Sequence, residues 1–224
     1  MINSTNITRN IYQERAKILN SIPIFEITPY RTNVTNLNAN CNVTHLAEHL
    51  FVNFPSLITN KKYHRCNHEH LRKIPVISIN INIILQNGLS ALRNTILDTN
   101  HDKASTCKKC HESVLEKYTF QSHLIVDCSV FTDGQYIASI GIEKKSAALG
   151  SIPNKLNMGN KNYIIAGAVS YHQYASDRNN GHYTAFVYDT TQWYLYDDMR
   201  TKRKIASDDE EVAPHLIVYT MVAT

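Results

Sequence analysis

The sequence predicts an α+β chain, with helical segments in its first half and strand segments in its second half. Residues 181–198 form two short strand-like runs joined by a polar turn, and residues 163–171 form a strongly apolar strand-like run before them. Upstream, apolar residues recur at helical spacing after Thr44 and after Gly88. These patterns together predict the α+β class.

Composition and charge exclude several classes of protein. With 224 residues the chain is long enough to bury a large core. Its net charge of +4 comes from scattered Lys and Arg, so no nucleic-acid partner is expected. The sequence contains no apolar run of membrane length and no signal peptide, so no membrane association is expected. Five cysteines, an odd number, fit a reducing compartment, which predicts an intracellular protein of the cytoplasm or nucleus.

The first part of the chain mixes helical and extended segments. Residues 1–22 have a loosely helical apolar pattern, and two prolines then favour an extended segment. Residues 33–42 are expected to form a loop. A helix capped by Thr44 should follow, with Phe54 on its apolar face and Pro55 stopping it.

The middle of the chain contains one expected helix between strands. Residues 74–85 alternate apolar and polar side chains, which predicts a strand half exposed to water. Gly88 marks a turn, and the leucines and isoleucine of residues 89–97 predict a helix with one core-facing side. Residues 114–120 and 123–130 are expected to be strands, the second buried on both faces.

The last third is expected to be mostly strands and loops. Residues 132–162 contain several glycines and predict a loop region with one short strand at 136–140. Residues 172–180 predict a flexible loop, and residues 213–219 predict a final strand. Cys128 lies in an apolar strand and is expected to be a buried side chain.

Cysteine and histidine spacing indicates a metal site. Tetrahedral zinc requires four sulfur or nitrogen ligands, usually supplied as close pairs on two turns. Cys107 and Cys110 form one such pair, and Cys66 with His68 or His70 could form the other. We therefore expect one structural zinc ion, with Cys66, His70, Cys107 and Cys110 as the ligand set.

Residues 181–198 also contain a candidate catalytic pair. His182 begins the first strand of this hairpin and Asp197 ends the second. Because the start of one strand lies near the end of the next in an antiparallel hairpin, the two side chains should be neighbours. A carboxylate beside an imidazole fixes its tautomer and stabilises its charged form, as in the second half of a nucleophile–His–Asp triad.

These residues resemble the histidine box of the ubiquitin-specific proteases, which are papain-like thiol hydrolases. That box contains Gly-His-Tyr, a small or β-branched residue, an aromatic residue, a turn and Trp-x-x-aromatic-Asp-Asp. The matching positions here are Gly181, His182, Tyr183, Ala185, Phe186, Trp193, Tyr196, Asp197 and Asp198.

The resemblance implies a fold, a reaction and roles for individual residues. The fold would be a partial papain-like α+β fold with an antiparallel palm sheet and β-ribbon fingers, most of the helical thumb being missing. His182 would be the general base, Asp197 its orienting partner and Asp198 a polar support. The reaction would be thiol-dependent hydrolysis of ubiquitin conjugates, with ubiquitin or a ubiquitin-like protein as the partner. Many members of the family have a zinc ribbon at the tip of the fingers.

The nucleophile is the residue that the sequence leaves open. Cys41 precedes the helix capped by Thr44, and residues 36–41 faintly resemble the family's cysteine box. One interpretation is an active enzyme, either through Cys41 or because this chain is the C-terminal part of a longer product. The alternatives are a catalytically inactive relative that binds ubiquitin and an unrelated zinc-ribbon interaction domain.

In domain terms, we expect an N-terminal segment over residues 1–60 and the fingers and palm over residues 61–224.

Overall fold

A computed structural model gives the fold in two compact units, residues 1–50 and residues 51–224. The structure describes residues 9–23, 25–31, 34–38, 42–100, 104–129, 146–174 and 177–222. Cys41 and the short strand expected at 136–140 lie outside the described residues. No helix among the described residues has both the length and the apolar character needed to cross a bilayer.

The first unit contains two helices and one hairpin. Its elements are α1 (Arg9–Asn20), β1 (Glu26–Arg31), β2 (Val34–Asn38) and α2 (Val43–Leu50). The loop expected over residues 33–42 is wrong, because half of that stretch forms β2, which pairs antiparallel with β1. The cap of α2 also differs from the prediction, since the Asn42 side chain accepts a hydrogen bond from the Thr44 amide at 2.8 Å. The helix ends at Leu50, so Phe54 lies beyond it and is exposed.

Among its described residues, the second unit has two α-helices, two short 3-10 helices and the remaining strands. Its α-helices are α3 (Ile81–Asn87) and α4 (Leu92–Asn100). Its strands are β3 (Leu57–Tyr63), β4 (His68–Ile74), β5 (Ile77–Ser78), β6 (Ala104–Thr106), β7 (Ser113–Leu115), β8 (Lys117–Phe120), β9 (His123–Asp127), β10 (Ala147–Ala148), β11 (Lys155–Met158), β12 (Lys161–Tyr174), β13 (Asp177–Tyr188), β14 (Trp193–Tyr196), β15 (Lys204–Ala206), β16 (Glu211–Val212) and β17 (Pro214–Met221). The α+β class is therefore confirmed.

An eight-stranded central sheet forms the base of the second unit. Its order is β15-β14-β13-β12-β17-β9-β5, with β11 also paired to β12, and among the strand pairs of the described residues only β5 and β9 run parallel. β9 is buried along its middle, as its apolar run predicts, and Cys128 just after it is fully buried. The final strand expected over residues 213–219 is present as β17, which lies between β12 and β9 and is not at an edge of the sheet. Its buried apolar side chains explain this central position.

A β-ribbon in the same unit comprises the three-stranded sheet of β3, β4 and β8 together with the β6–β7 hairpin, which contacts β3. β3 pairs antiparallel with both β4 and β8. Together with the central sheet, this ribbon gives the antiparallel palm and β-ribbon fingers that were expected from the sequence.

Ser56 links the ribbon to the central sheet. This fully buried residue precedes β3, and its hydroxyl donates to the Pro75 carbonyl at 2.5 Å. The same oxygen accepts the Ile125 amide of β9 at 2.9 Å. One side chain therefore satisfies backbone groups of both parts of the fold.

Two stretches differ from the sequence prediction. The strand expected over residues 74–85 is interrupted, because Asn80 caps α3 by accepting the Asn82 amide at 3.2 Å. Its alternating isoleucines therefore lie partly in a short strand and partly in a helix. The loop expected over residues 172–180 is also wrong, since β12 continues to Tyr174 and β13 begins at Asp177. Paired backbone between these strands replaces the expected loop.

Candidate active site and thiol cluster

The structure places His182 and Asp197 side by side at one end of the β13–β14 hairpin. The two strands pair from Tyr188 with Trp193 to Ala185 with Tyr196, so β14 ends one residue before Asp197. His182 Nε2 and Asp197 Oδ1 are 2.9 Å apart, and both side chains are largely buried. The hairpin therefore brings together the two residues that are fifteen positions apart in sequence, as its geometry predicts.

Backbone and charged groups hold the Asp197 carboxylate in place. Its Oδ1 accepts the Met199 amide at 3.0 Å, and its Oδ2 accepts Arg200 Nε at 3.1 Å. The hydrogen bond with His182, followed by that of the Met199 amide, lowers the pKa of the Asp197 carboxyl. Neither the Met199 nor the Arg200 hydrogen bond was predicted from the sequence. Arg200, a basic residue three positions after Asp197, is the sequence feature that indicates the second one.

The pair has the orientation that base catalysis requires. With Nε2 donating to Asp197, the Nδ1 atom of His182 carries the lone pair and can accept a proton. Asp198 lies farther away, with Oδ1 at 3.5 Å from Nε2, and its side chain is 74% exposed. The arrangement can therefore act as a general base with one oriented carboxylate partner and a second acid at its rim.

Gly181 is required by the packing next to the pair. A Cβ at this position would run into the Tyr171 ring of β12. That ring is itself held by Tyr183, with centroids 4.9 Å apart, and by His215, with centroids 5.1 Å apart. The small residue before His182 thus allows three aromatic rings to pack beneath the site.

Trp193 anchors the second strand of the hairpin. Its side chain is 1% exposed and its ring centroid lies 5.0 Å from that of Tyr188. The register pairs these two residues across the hairpin. Trp193 thereby fixes the position of β14 and of the acid that follows this strand.

The described cysteines occupy other places than the candidate active site. Cys128 has no exposed surface, and burial raises the pKa of its thiol. Cys66, Cys107 and Cys110 are gathered in the ribbon. Cys41, the nucleophile candidate, lies outside the described residues.

The three ribbon cysteines form a compact thiol cluster. Cys66 Sγ lies 3.6 Å from Cys107 Sγ and 3.3 Å from Cys110 Sγ. Thiolates at about 2.3 Å from one tetrahedral ion are separated by about 3.7 Å, so these sulfurs fit a zinc ion with little movement. His70 is not part of this cluster among the described residues, since it lies on exposed β4 opposite Lys61.

The thiols of this cluster differ in acidity. The hydrogen bond that the Cys66 thiol shares with Cys110 is the main cause that raises the pKa of Cys66 to about 11. Backbone amides of Cys110 and Lys109 lower the pKa of Cys107. Amide donors on a sulfur stabilise its thiolate, which is the form that binds metal.

No protein-family model and no curated protein matches this chain. Among solved structures, the Ubp8-Sgf11-Sgf73-Sus1 SAGA DUB module matches with 17% identity and a TM-score of 0.45, covering 95% of this chain and 48% of that chain. A SAGA DUB module bound to monoubiquitin matches with 16% identity and a TM-score of 0.42, covering 81% of this chain and 46% of that chain.

The Saccharomyces cerevisiae PAN2 pseudoubiquitin-hydrolase matches with 14% identity and a TM-score of 0.43, covering 96% of this chain and 66% of that chain. These neighbours comprise a ubiquitin-specific protease and a pseudo-hydrolase, and the former belongs to the family that the histidine-box residues resemble. The chain spans about half the length of the SAGA DUB module chains that it matches. With TM-scores this low, the likeness assigns no activity, ligand or partner to this chain.

Proposed function

We propose that this chain is a ubiquitin-specific-protease-like protein that supports thiol-dependent hydrolysis of ubiquitin conjugates. The proposal rests on one observation, the 2.9 Å contact of His182 Nε2 with Asp197 Oδ1 at the end of the hairpin. His182 is the general base and Asp197 is the residue that orients it. Asp198, Gly181 and Trp193 support their positions.

The chemistry follows from the free nitrogen of His182. A cysteine thiol transfers its proton to Nδ1, and the thiolate attacks the carbonyl carbon of the isopeptide bond. His182 then gives the proton to the departing amine, which leaves a thioester that water hydrolyses. Asp197 stabilises the imidazolium that exists between these two transfers. Cys41 is the candidate nucleophile within this chain.

A second candidate is a non-catalytic protein that binds ubiquitin or a ubiquitin-like protein. The observation that favours it is the position of the described thiols, because Cys128 is fully buried and the other three form the thiol cluster. Removing a triad nucleophile costs many orders of magnitude in rate and leaves mainly binding.

A ubiquitin probe with an electrophilic C-terminus separates these candidates. Covalent capture by the natural chain that is lost in Cys41→Ala supports the hydrolase. Non-covalent binding without capture supports the binding protein, and absence of both rejects the ubiquitin proposal. Retained capture in Cys41→Ala assigns the nucleophile to another thiol.

His182→Ala tests the base. We expect turnover of a fluorogenic ubiquitin substrate to fall on the order of a thousandfold or more, because the thiol loses its proton acceptor. Circular dichroism and the melting temperature should stay close to those of the natural chain. The matched control is His172→Ala, an exposed histidine that pairs with His182 on the neighbouring strand. Full activity in His182→Ala would reject the assignment.

We also propose that the thiol cluster of Cys66, Cys107 and Cys110 holds a structural zinc ion. Three sulfurs within zinc-binding distance of a common point support this. We propose with it a reducing, intracellular compartment, which suits cysteines that bind metal and form no disulfide. The metal would tie the β3–β4 and β6–β7 turns together and contribute to folding. Metal analysis of the purified protein and a fall in melting temperature on chelation are the expected results.

A further inference from the structure

The two turns that supply the thiol cluster have the same backbone plan. The first turn follows β3 and is closed by the pairing of Tyr63 with His68. The second follows β6 and is closed by Cys107, whose amide donates to the Glu112 carbonyl at 2.9 Å. Each closing pair has four residues between its members, so the turns can be compared position by position.

The correspondence extends to the cysteines and to the left-handed residue of each turn. The third residue of the first turn is Cys66, and the third residue of the second is Cys110. Each is followed by a residue with positive φ, Asn67 at 52° and His111 at 56°. Non-glycine residues adopt this conformation rarely, so its occurrence at the same place in both turns is specific.

The comparison places Tyr63 at the position that Cys107 occupies in the second turn. Cys107 supplies the first sulfur of its turn, whereas Tyr63 supplies none. The Tyr63 ring is 5% exposed and stacks on His68 with centroids 6.2 Å apart. Its hydroxyl donates to Ser105 Oγ at 3.0 Å, so the side chain is held against the strand that leads to Cys107.

Equivalent backbone amides in the two turns donate to different acceptors. In the second turn the Lys109 amide, two residues after Cys107, donates to Cys107 Sγ at 3.4 Å. The equivalent amide in the first turn belongs to Arg65, and it donates to Glu112 Oε2 at 2.8 Å. The Glu112 carboxylate of the second turn therefore accepts the hydrogen bond that a sulfur at position 63 would accept.

We propose that Tyr63 fills the fourth ligand position of the ribbon, so that the described part of this chain offers a thiophilic cation three sulfurs and no fourth side-chain ligand. The inference rests on the metal-binding ribbon proposed above and is independent of the hydrolase activity. It replaces the ligand set expected from the sequence, because His70 lies on β4 beyond the turn. The remaining coordination position is left to water or another small ligand.

The test is the number of sulfur ligands around bound Cd²⁺ in the full chain. Cadmium-113 NMR and the intensity of the thiolate-to-cadmium absorption band count the sulfurs directly. We expect three in the natural chain and four in Tyr63→Cys. The fourth thiolate should raise Cd²⁺ affinity by at least about tenfold, the effect of losing even an outer partner of a metal site. Tyr63→His provides a second variant in case the new thiol disturbs folding.

Three controls exclude other fourth ligands. Tyr63→Phe keeps the ring and removes only the hydroxyl contact with Ser105, so the count and the affinity should not change. His68→Ala and Glu112→Gln remove the alternative metal donors on the residues that close the two turns. A loss of cadmium affinity in either of these variants would overturn the inference.

The outcomes separate the two proposals. Three sulfurs in the natural chain and four in Tyr63→Cys support both. Cadmium bound only by Tyr63→Cys rejects the metal-binding proposal for the natural chain and supports the position of Tyr63. Four protein ligands in the natural chain, or an unchanged sulfur count in Tyr63→Cys, overturns the inference, and the absence of binding in both overturns both proposals.

Discussion

At the residue scale, Asp197 is shared between an imidazole, a backbone amide and a guanidinium. His182 and the Met199 amide approach Oδ1, while Arg200 approaches Oδ2. All three contacts favour the ionised carboxylate, which is why the pKa of Asp197 is lowered. A carboxylate held from both oxygens cannot rotate freely, so the ring of His182 keeps one orientation.

This arrangement predicts a pH dependence that His182 controls. Because the pKa of Asp197 is lower in the folded chain than in the unfolded chain, its stabilising effect is complete above its ordinary pKa of about 3.9. The effect is lost as the pH falls through the lower folded value. In His182→Gln we expect the pKa of Asp197 to move back up and this acid-dependent loss of stability to become smaller.

Carboxyl carbon NMR of Asp197 and urea unfolding from pH 5 down to about pH 2, a range that reaches below the ordinary carboxyl pKa, measure these effects. Asp198→Asn is the matched control, since that side chain is mostly exposed and lies 3.5 Å from the imidazole. An Asp197 titration that is identical in the natural chain and in His182→Gln would show that the imidazole does not hold the carboxylate.

At the element scale, the β12–β13 pair depends on a glycine facing a tyrosine. Tyr171 cannot move away from Gly181 easily, because Tyr183 and His215 contact its ring. Gly181→Ala should therefore destabilise the fold by about 1–3 kcal/mol, the usual cost of overpacking a filled site. Denaturant unfolding measures this cost.

A double-mutant cycle shows whether the cause is the tyrosine ring. In a Tyr171→Leu background the extra methyl group has room, so Gly181→Ala should cost clearly less than in the natural chain. If Gly181→Ala lowered the free energy of unfolding equally in the two backgrounds, the glycine would be required for its backbone conformation and not to make room for the Tyr171 ring.

At the scale of the whole molecule, Ser56 connects the ribbon to the central sheet. Ser56→Ala leaves the Pro75 carbonyl and the Ile125 amide without their hydroxyl partner in a buried place. We expect a loss of about 1–3 kcal/mol in the free energy of unfolding, the cost of leaving a buried polar group unsatisfied. Ser90→Ala removes an exposed hydroxyl and should change stability by less than about 0.5 kcal/mol.

Hydrogen exchange then locates the effect. In Ser56→Ala we expect the amides of β9 and of the start of β3 to exchange faster than in the natural chain, because the link between these strands is weakened. Unchanged exchange in both strands, together with unchanged stability, would show that the hydroxyl does not couple the two parts.

The candidate site could be predicted because its two residues belong to one hairpin. Alternation of side chains and a polar turn identify β13 and β14, and antiparallel geometry then brings His182 to Asp197. The same local reasoning fails at Asn80, whose side chain caps a helix within an alternating run. A side-chain hydrogen bond of this kind competes with strand formation and leaves no trace in the periodicity.

The sequence by itself determined the α+β class, the hairpin with its histidine and acid, and the gathering of cysteines into one cluster. Only the tertiary structure decided that β17 lies in the middle of the sheet, that Tyr171 requires Gly181, and that Tyr63 closes the first turn at the position equivalent to Cys107 in the second. The physical reason is the separation in sequence between the residues that interact. Periodicity and turn chemistry act between near neighbours, whereas strand order and side-chain packing depend on residues far apart in sequence that meet only when the chain has folded.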